Sequence, residues 1–109
     1  MIVPTEPATS VAPVACTLSV EALRERGAWL TANGLGEARE IRELPDGYAL
    51  RFDADADLTS RLLAVIMAER DCCPFFTFEL AFAPDHGPVW LRLRGPEGAK
   101  VVIEAMLQG

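Results

Sequence analysis

The stretch "YALRFDADADLTSRLLAVIMAERDCCPFFTFEL", residues 48–80, changes period twice. Tyr48, Leu50 and Phe52 alternate with Ala49, Arg51 and Asp53. That period of two belongs to a strand with one buried face. Asp55, Asp57 and Thr59 then crowd a boundary where each is suited to cap a helix. From about Leu58 to about Cys72 the apolar residues recur at helical spacing. Pro74 disfavours the α-region for Cys73, so the helix is expected to stop there. Phe76, Phe78, Leu80 and then Phe82 resume the period of two.

The same alternation of signals continues outward in both directions. Towards the C-terminus, Asp85-His86-Gly87-Pro88 is a turn, and Val89, Leu91 and Leu93 share one face of a further strand. Gly95-Pro96-Glu97 is expected to open a last helix, with Val102, Ile103, Met106 and Leu107 on its apolar side. Towards the N-terminus, Leu44-Pro45-Asp46-Gly47 supplies hairpin turn chemistry, and Glu37 to Glu43 reads as a weak, charged strand. Ser19 reads as the N-cap of a helix running from Val20 to Asn33, with Val20, Leu23, Gly27 and Leu30 on one stripe and Asn33-Gly34 as its stop. Residues 1–15, with Pro4, Pro7 and Pro13, read as a flexible arm ahead of a single α+β domain over 16–109. The expected order is α-ββ-α-ββ-α, a four-stranded antiparallel sheet with helices mainly on one face. The other face would carry Arg51, Thr77, Glu79, Trp90, Arg92 and Arg94.

Bulk properties exclude several classes of function. The net charge of −6 is the wrong sign for a phosphate-binding surface, so no nucleic-acid partner is expected. No apolar run approaches the ~20 residues that cross a bilayer, so no membrane partner is expected either. The first residues lack a basic n-region and a continuous apolar run, which argues against a secretory signal. Three cysteines do not make a disulfide framework, and a reducing, cytoplasmic setting is expected.

The remaining chemistry gathers at the end of the central helix. On a helical wheel Glu69 falls among Leu58, Leu62, Val65 and Ile66, Cys72 lies at the edge of that stripe, and Asp71 points away. Glu69 and Cys72 are one turn apart and within mutual reach. Cys73 lies past the helical register, and the wheel does not aim it. Clustered thiolates suit a thiophilic metal or metalloid ion of the zinc, mercury or arsenic class. Cys72 and Cys73 would be ligands, Cys16 a third sulfur, and Glu69 an auxiliary carboxylate. The competing reading makes the cysteines small hydrophobes in a core, in a structural or interaction module that dimerises through its sheet face or through Leu63 and Met67. The spacing is not that of a zinc motif. A thiol nucleophile is disfavoured, because the negative end of a helix raises a thiol pKa and His86 lies in a polar turn, so an enzyme is the last choice.

Three other features carry less. Residues 94–100 place backbone amides and Lys100 at a helix start, but Glu97 already supplies the negative charge there. Residues 53–57 lack the later glycine and glutamate of a calcium loop. Trp90 between arginines marks the outer sheet face as a partner surface.

Together, Glu69-Arg70-Asp71-Cys72-Cys73-Pro74-Phe75, Gly87-Pro88-Val89-Trp90-Leu91, Gly95-Pro96-Glu97-Gly98-Ala99-Lys100 and Cys16-Thr17-Leu18-Ser19 resemble blocks of a group of small bacterial proteins of unassigned function. These carry E-R-x-C-C-P-F, G-P-(aromatic or aliphatic)-W-L and G-P-E-G-x-K, many open with C-x-L-(S/T), and the resemblance spans about residue 16 to the C-terminus. The group is associated with heavy-metal-resistance surroundings, mercury included. The resemblance implies that Cys16, Cys72 and Cys73 belong to one pattern, which favours the metal reading.

Overall fold

The computed structural model describes residues 19–107. The arm expected over 1–15 and Cys16 lie outside the described residues. The element order is α1 (Val20–Ala32), a 3-10 turn (Leu35–Glu37), β1 (Glu40–Leu44), β2 (Gly47–Phe52), α2 (Ala56–Cys72), β3 (Thr77–Phe82), β4 (Val89–Arg94) and α3 (Ala99–Leu107). This is the α-ββ-α-ββ-α order, and the four strands form one antiparallel sheet in the order β1-β2-β4-β3.

Caps explain where the helices begin and end. The Ser19 hydroxyl accepts from the Ala22 N–H at 3.1 Å. Asp55, extended in backbone, accepts from the Leu58 N–H at 2.8 Å and starts α2 two residues ahead of the expected Leu58. After α1 the chain reverses at Gly34, whose φ of 140° is open to a residue without a Cβ.

Two further boundaries differ from expectation. Residues 35–37 wind into a 3-10 turn that buries Leu35, so β1 starts at Glu40 rather than Glu37. Gly95-Pro96-Glu97 does not open the last helix. These residues form a turn in which Ala99 N–H donates to Pro96 O at 2.9 Å, and α3 starts at Ala99. Gly98 has a φ of 93°, which breaks the right-handed winding that proline at a first turn would have begun.

The sheet register sorts the side chains. Leu50 pairs with Leu91 and Phe52 with Val89 across the central seam, and Leu80 pairs with Leu91 from the other side. These positions face the helices, and Leu50, Phe52, Leu62, Leu91 and Ile103 are almost wholly buried. Inner-face residues of β2 and β4 share one core cluster with residues of all three helices. The outer face pairs Arg51 with Trp90 and Glu79 with Arg92, as the alternation requires. Ile41, paired with Leu50 on edge strand β1, and Phe82 are exceptions on the inner face, and Ile41 is 54 % exposed. Phe82 lies at the end of edge strand β3 and is exposed.

Helix α1 reaches the core through close contact with α3. A Cβ on Gly27 would stand 2.0 Å from the Met106 carbonyl oxygen, so only glycine permits this approach. Glycine therefore sits inside the α1 stripe with Leu23 and Leu30, and all three are buried. Among the described residues no helix is long and apolar enough to cross a membrane.

Candidate metal centre

The last turn of α2 carries the chemistry. Its stripe of Leu58, Leu62, Val65 and Ile66 is buried in the core, and Glu69 continues it one turn further. A carboxylate is thereby carried to a position only 3 % exposed, where aspartate and glutamate are rarely found without a partner. The helix ends at Cys72. Cys73 is the C-cap, with φ −128° and ψ 73°, and its N–H donates to the Glu69 carbonyl at 2.7 Å. This departure from helical geometry settles the direction that the wheel left open. Cys73 turns into the core and is 0 % exposed, while Cys72 stays half-buried at the edge. Neither is in a disulfide.

The ligand atoms of Glu69, Cys72 and Cys73 all lie within 4.8 Å of one another. Two sulfurs that share one ion, at ~2.3 Å each, stand at most about 4.6 Å apart. The cluster thus needs only small movements to close on an ion. Asp71 is exposed and is not part of this cluster, and His86 lies exposed in the turn between β3 and β4. Cys16 lies outside the described residues, so its relation to the pair is not described.

Glu69 is held by a residue that the sequence pattern did not single out. Arg26 of α1 donates from Nε to Glu69 Oε1 at 2.5 Å. Its guanidinium carbon also stands 4.8 Å from the centroid of the Trp29 ring. A signal existed: Arg26 falls at the edge of the α1 stripe, beside Gly27 and one turn after Leu23, and a buried carboxylate on the neighbouring helix requires a cation. The other carboxylate oxygen, Oε2, is buried and has no hydrogen-bond partner. On its core side Glu69 borders a cavity of about 20 Å³, and the other lining side chains are all apolar. That space suffices for one water but offers it no second polar partner from the walls. Oε2 is therefore an oxygen donor short of a ligand.

Two further properties suit a cation. The C-terminal end of α2 presents its carbonyls, the negative pole of the helix, at the cluster. The same field works against a bare thiolate nucleophile. Access comes from an open groove between α1 and α2, lined by Ala22, Glu25, Arg26, Trp29, Ala68, Asp71 and Cys72.

The other candidate positions mostly engage partners within the chain. Lys100, at the start of α3, is paired with Glu43, which argues against an anion site there. On the outer sheet face Arg51 meets Glu40 at 3.1 Å, and Arg42 lies over the Trp90 ring with its guanidinium carbon 4.9 Å from the centroid. Arg94 approaches Glu79 at 2.7 Å, but the two atoms are not aligned for a hydrogen bond. Comparison with family models, with curated proteins and with solved structures finds no match to this chain.

Proposed function

We propose that this protein binds a thiophilic metal or metalloid ion through Cys72 and Cys73, with Glu69 as oxygen ligand and Cys16 as a further sulfur. One observation carries the reading: two thiols and a carboxylate oxygen of buried Glu69 lie within 4.8 Å of one another, and that carboxylate keeps one oxygen without a hydrogen-bond partner. A core that merely accommodated cysteines would gain nothing from an unsatisfied carboxylate, which costs about 1–3 kcal/mol or more. An ion of the zinc, mercury or arsenic class would satisfy Oε2 and both sulfurs together. The resemblance to bacterial proteins from heavy-metal-resistance surroundings supports the same class of ligand. This reading fits a cytoplasmic protein whose thiols are kept reduced.

Native mass spectrometry of the fully reduced protein tests it, with Zn(II), Hg(II) and As(III) added in turn. The expected result is stoichiometric uptake that the Cys72→Ser/Cys73→Ser variant loses, while adding Cys16→Ser counts the remaining ligand. No uptake by the folded wild type would end the metal reading.

A second reading keeps one specific observation. Leu63 and Met67 are 53 % and 54 % exposed on α2, a pair of large apolar side chains one turn apart. They favour an interaction module or homodimer, in which Cys73 is simply a core residue. A concentration-independent monomer mass in solution would count against it.

A further inference from the structure

We propose that Arg26 lowers by one the ion charge that neutralises the cluster, which makes Arg26 the residue that tunes ion valence. The inference rests on the proposed ion-binding function and goes beyond it by naming the residue that tunes the preferred ion charge. Arg26 is not a ligand; it is a positioning residue that acts through Glu69.

The geometry gives Arg26 this place. Its side chain is 29 % exposed while that of Glu69 is 4 % exposed, so it stands between the groove and the buried carboxylate. It engages Oε1 alone, at 2.5 Å, and leaves the buried, unpartnered Oε2 to another ligand. Contact with the Trp29 ring fixes the guanidinium from its other side. An ion that binds through Oε2 would leave the Arg26–Oε1 pair intact.

The charges then follow by addition. Two thiolates and one carboxylate carry three negative charges, and Arg26 returns one positive charge. Cys16 as a further thiolate ligand would add one more negative charge; with or without it, Arg26 lowers by one the ion charge at which the loaded cluster is neutral. In a buried site the neutral complex carries the smallest desolvation penalty, which rises with any residual charge of either sign.

The test compares the affinities of the reduced protein for Cd(II) and Cu(I), each by competition with a chelator of known affinity, under anaerobic conditions. Removing a nearby positive charge strengthens the more highly charged ion more. At an effective dielectric of about 20, and discounted because Arg26 is partly exposed, the gain is about tenfold in the Cd(II)-to-Cu(I) affinity ratio. Arg26→Gln is expected to raise the ratio by about that factor, and Arg26→Lys to hold it near the wild-type value. Glu69→Gln is expected to lower it, and Arg26→Gln/Glu69→Gln to lie between the two single variants. If Arg26→Gln does not fold, the comparison of Glu69→Gln with the double variant carries the same test, since the double variant leaves no lone charge. A ratio that stays fixed on loss of Arg26, while both ions still bind, overturns the inference and leaves ion binding standing. Absence of uptake by the folded wild type overturns both.

Discussion

Replacing Arg26 with leucine removes the cation bonded to a carboxylate that is only 3 % exposed. Breaking a fully buried ion pair on one side costs about 3–5 kcal/mol, because a charge is left without compensation. The Arg26 side chain keeps 29 % of its exposure, so water can take the place of the guanidinium on the groove side. Leucine also returns some apolar contact with Trp29. The expected loss is therefore nearer to 2 kcal/mol. The assay is urea denaturation of the metal-free, reduced protein. With a slope of about 1–1.5 kcal/mol per molar for a small domain, the midpoint should fall by about 1–2 M at unchanged slope. The Arg26→Leu/Glu69→Leu variant should regain most of this, since it removes both charges together. A loss below about 0.5 kcal/mol for Arg26→Leu would show that Glu69 does not depend on Arg26, and the account of the site electrostatics would fall with it.

Three other outcomes are expected. In a Cys16→Ser background, an aromatic disulfide reagent should modify half-buried Cys72 promptly and Cys73 only at the rate of opening or unfolding; equal rates would contradict the inward turn at the C-cap. Gly27→Ala should destabilise by about 1–3 kcal/mol, measured by thermal melting, because its Cβ would stand 2.0 Å from the Met106 carbonyl oxygen; an unchanged melting temperature would mean that α1 and α3 do not pack so closely. Tyr48, the single tyrosine, donates its hydroxyl to Glu104, and this bond, with some burial, pushes the phenol up to about 12 from 10.0. Because the folded state favours the neutral phenol, this bond's stabilisation is complete below pH 10 and is lost as the pH rises through about 12. Ultraviolet titration should show a single late phenolate transition that Glu104→Gln moves back towards 10.0.

The fold was largely legible because strand and helix periods meet at marked boundaries. Tyr48, Leu50 and Phe52 set the inner face of β2, and Pro74 set the end of α2, by local sterics that need no tertiary information. The missed boundaries had tertiary causes. Residues 35–37 wind into a turn that buries Leu35, which a strand of alternating charge would not have indicated. The start of α3 was displaced by Gly98, whose positive φ is not signalled by proline two residues earlier. In the site, the burial of Glu69 followed from the wheel. The partner did not, because Arg26 is 43 residues away in sequence and only helix packing brings it close. The aim of Cys73 was likewise invisible, since it depends on one non-helical pair of backbone angles.

The strand order also constrains how the chain reaches its native state. β1 with β2 and β3 with β4 are hairpins, closed by short turns between neighbours in sequence. The seam between β2 and β4 is different: it pairs Phe52 with Val89 and Gly47 with Arg94, and the segment it encloses contains all of α2 and β3. Loop-closure entropy opposes that pairing until α2 has collapsed onto the incipient sheet. The hairpins are thus the fast events and the seam the slow one. The Glu69–Cys73 turn lies inside the closing loop, so it takes its final surroundings only as the seam completes.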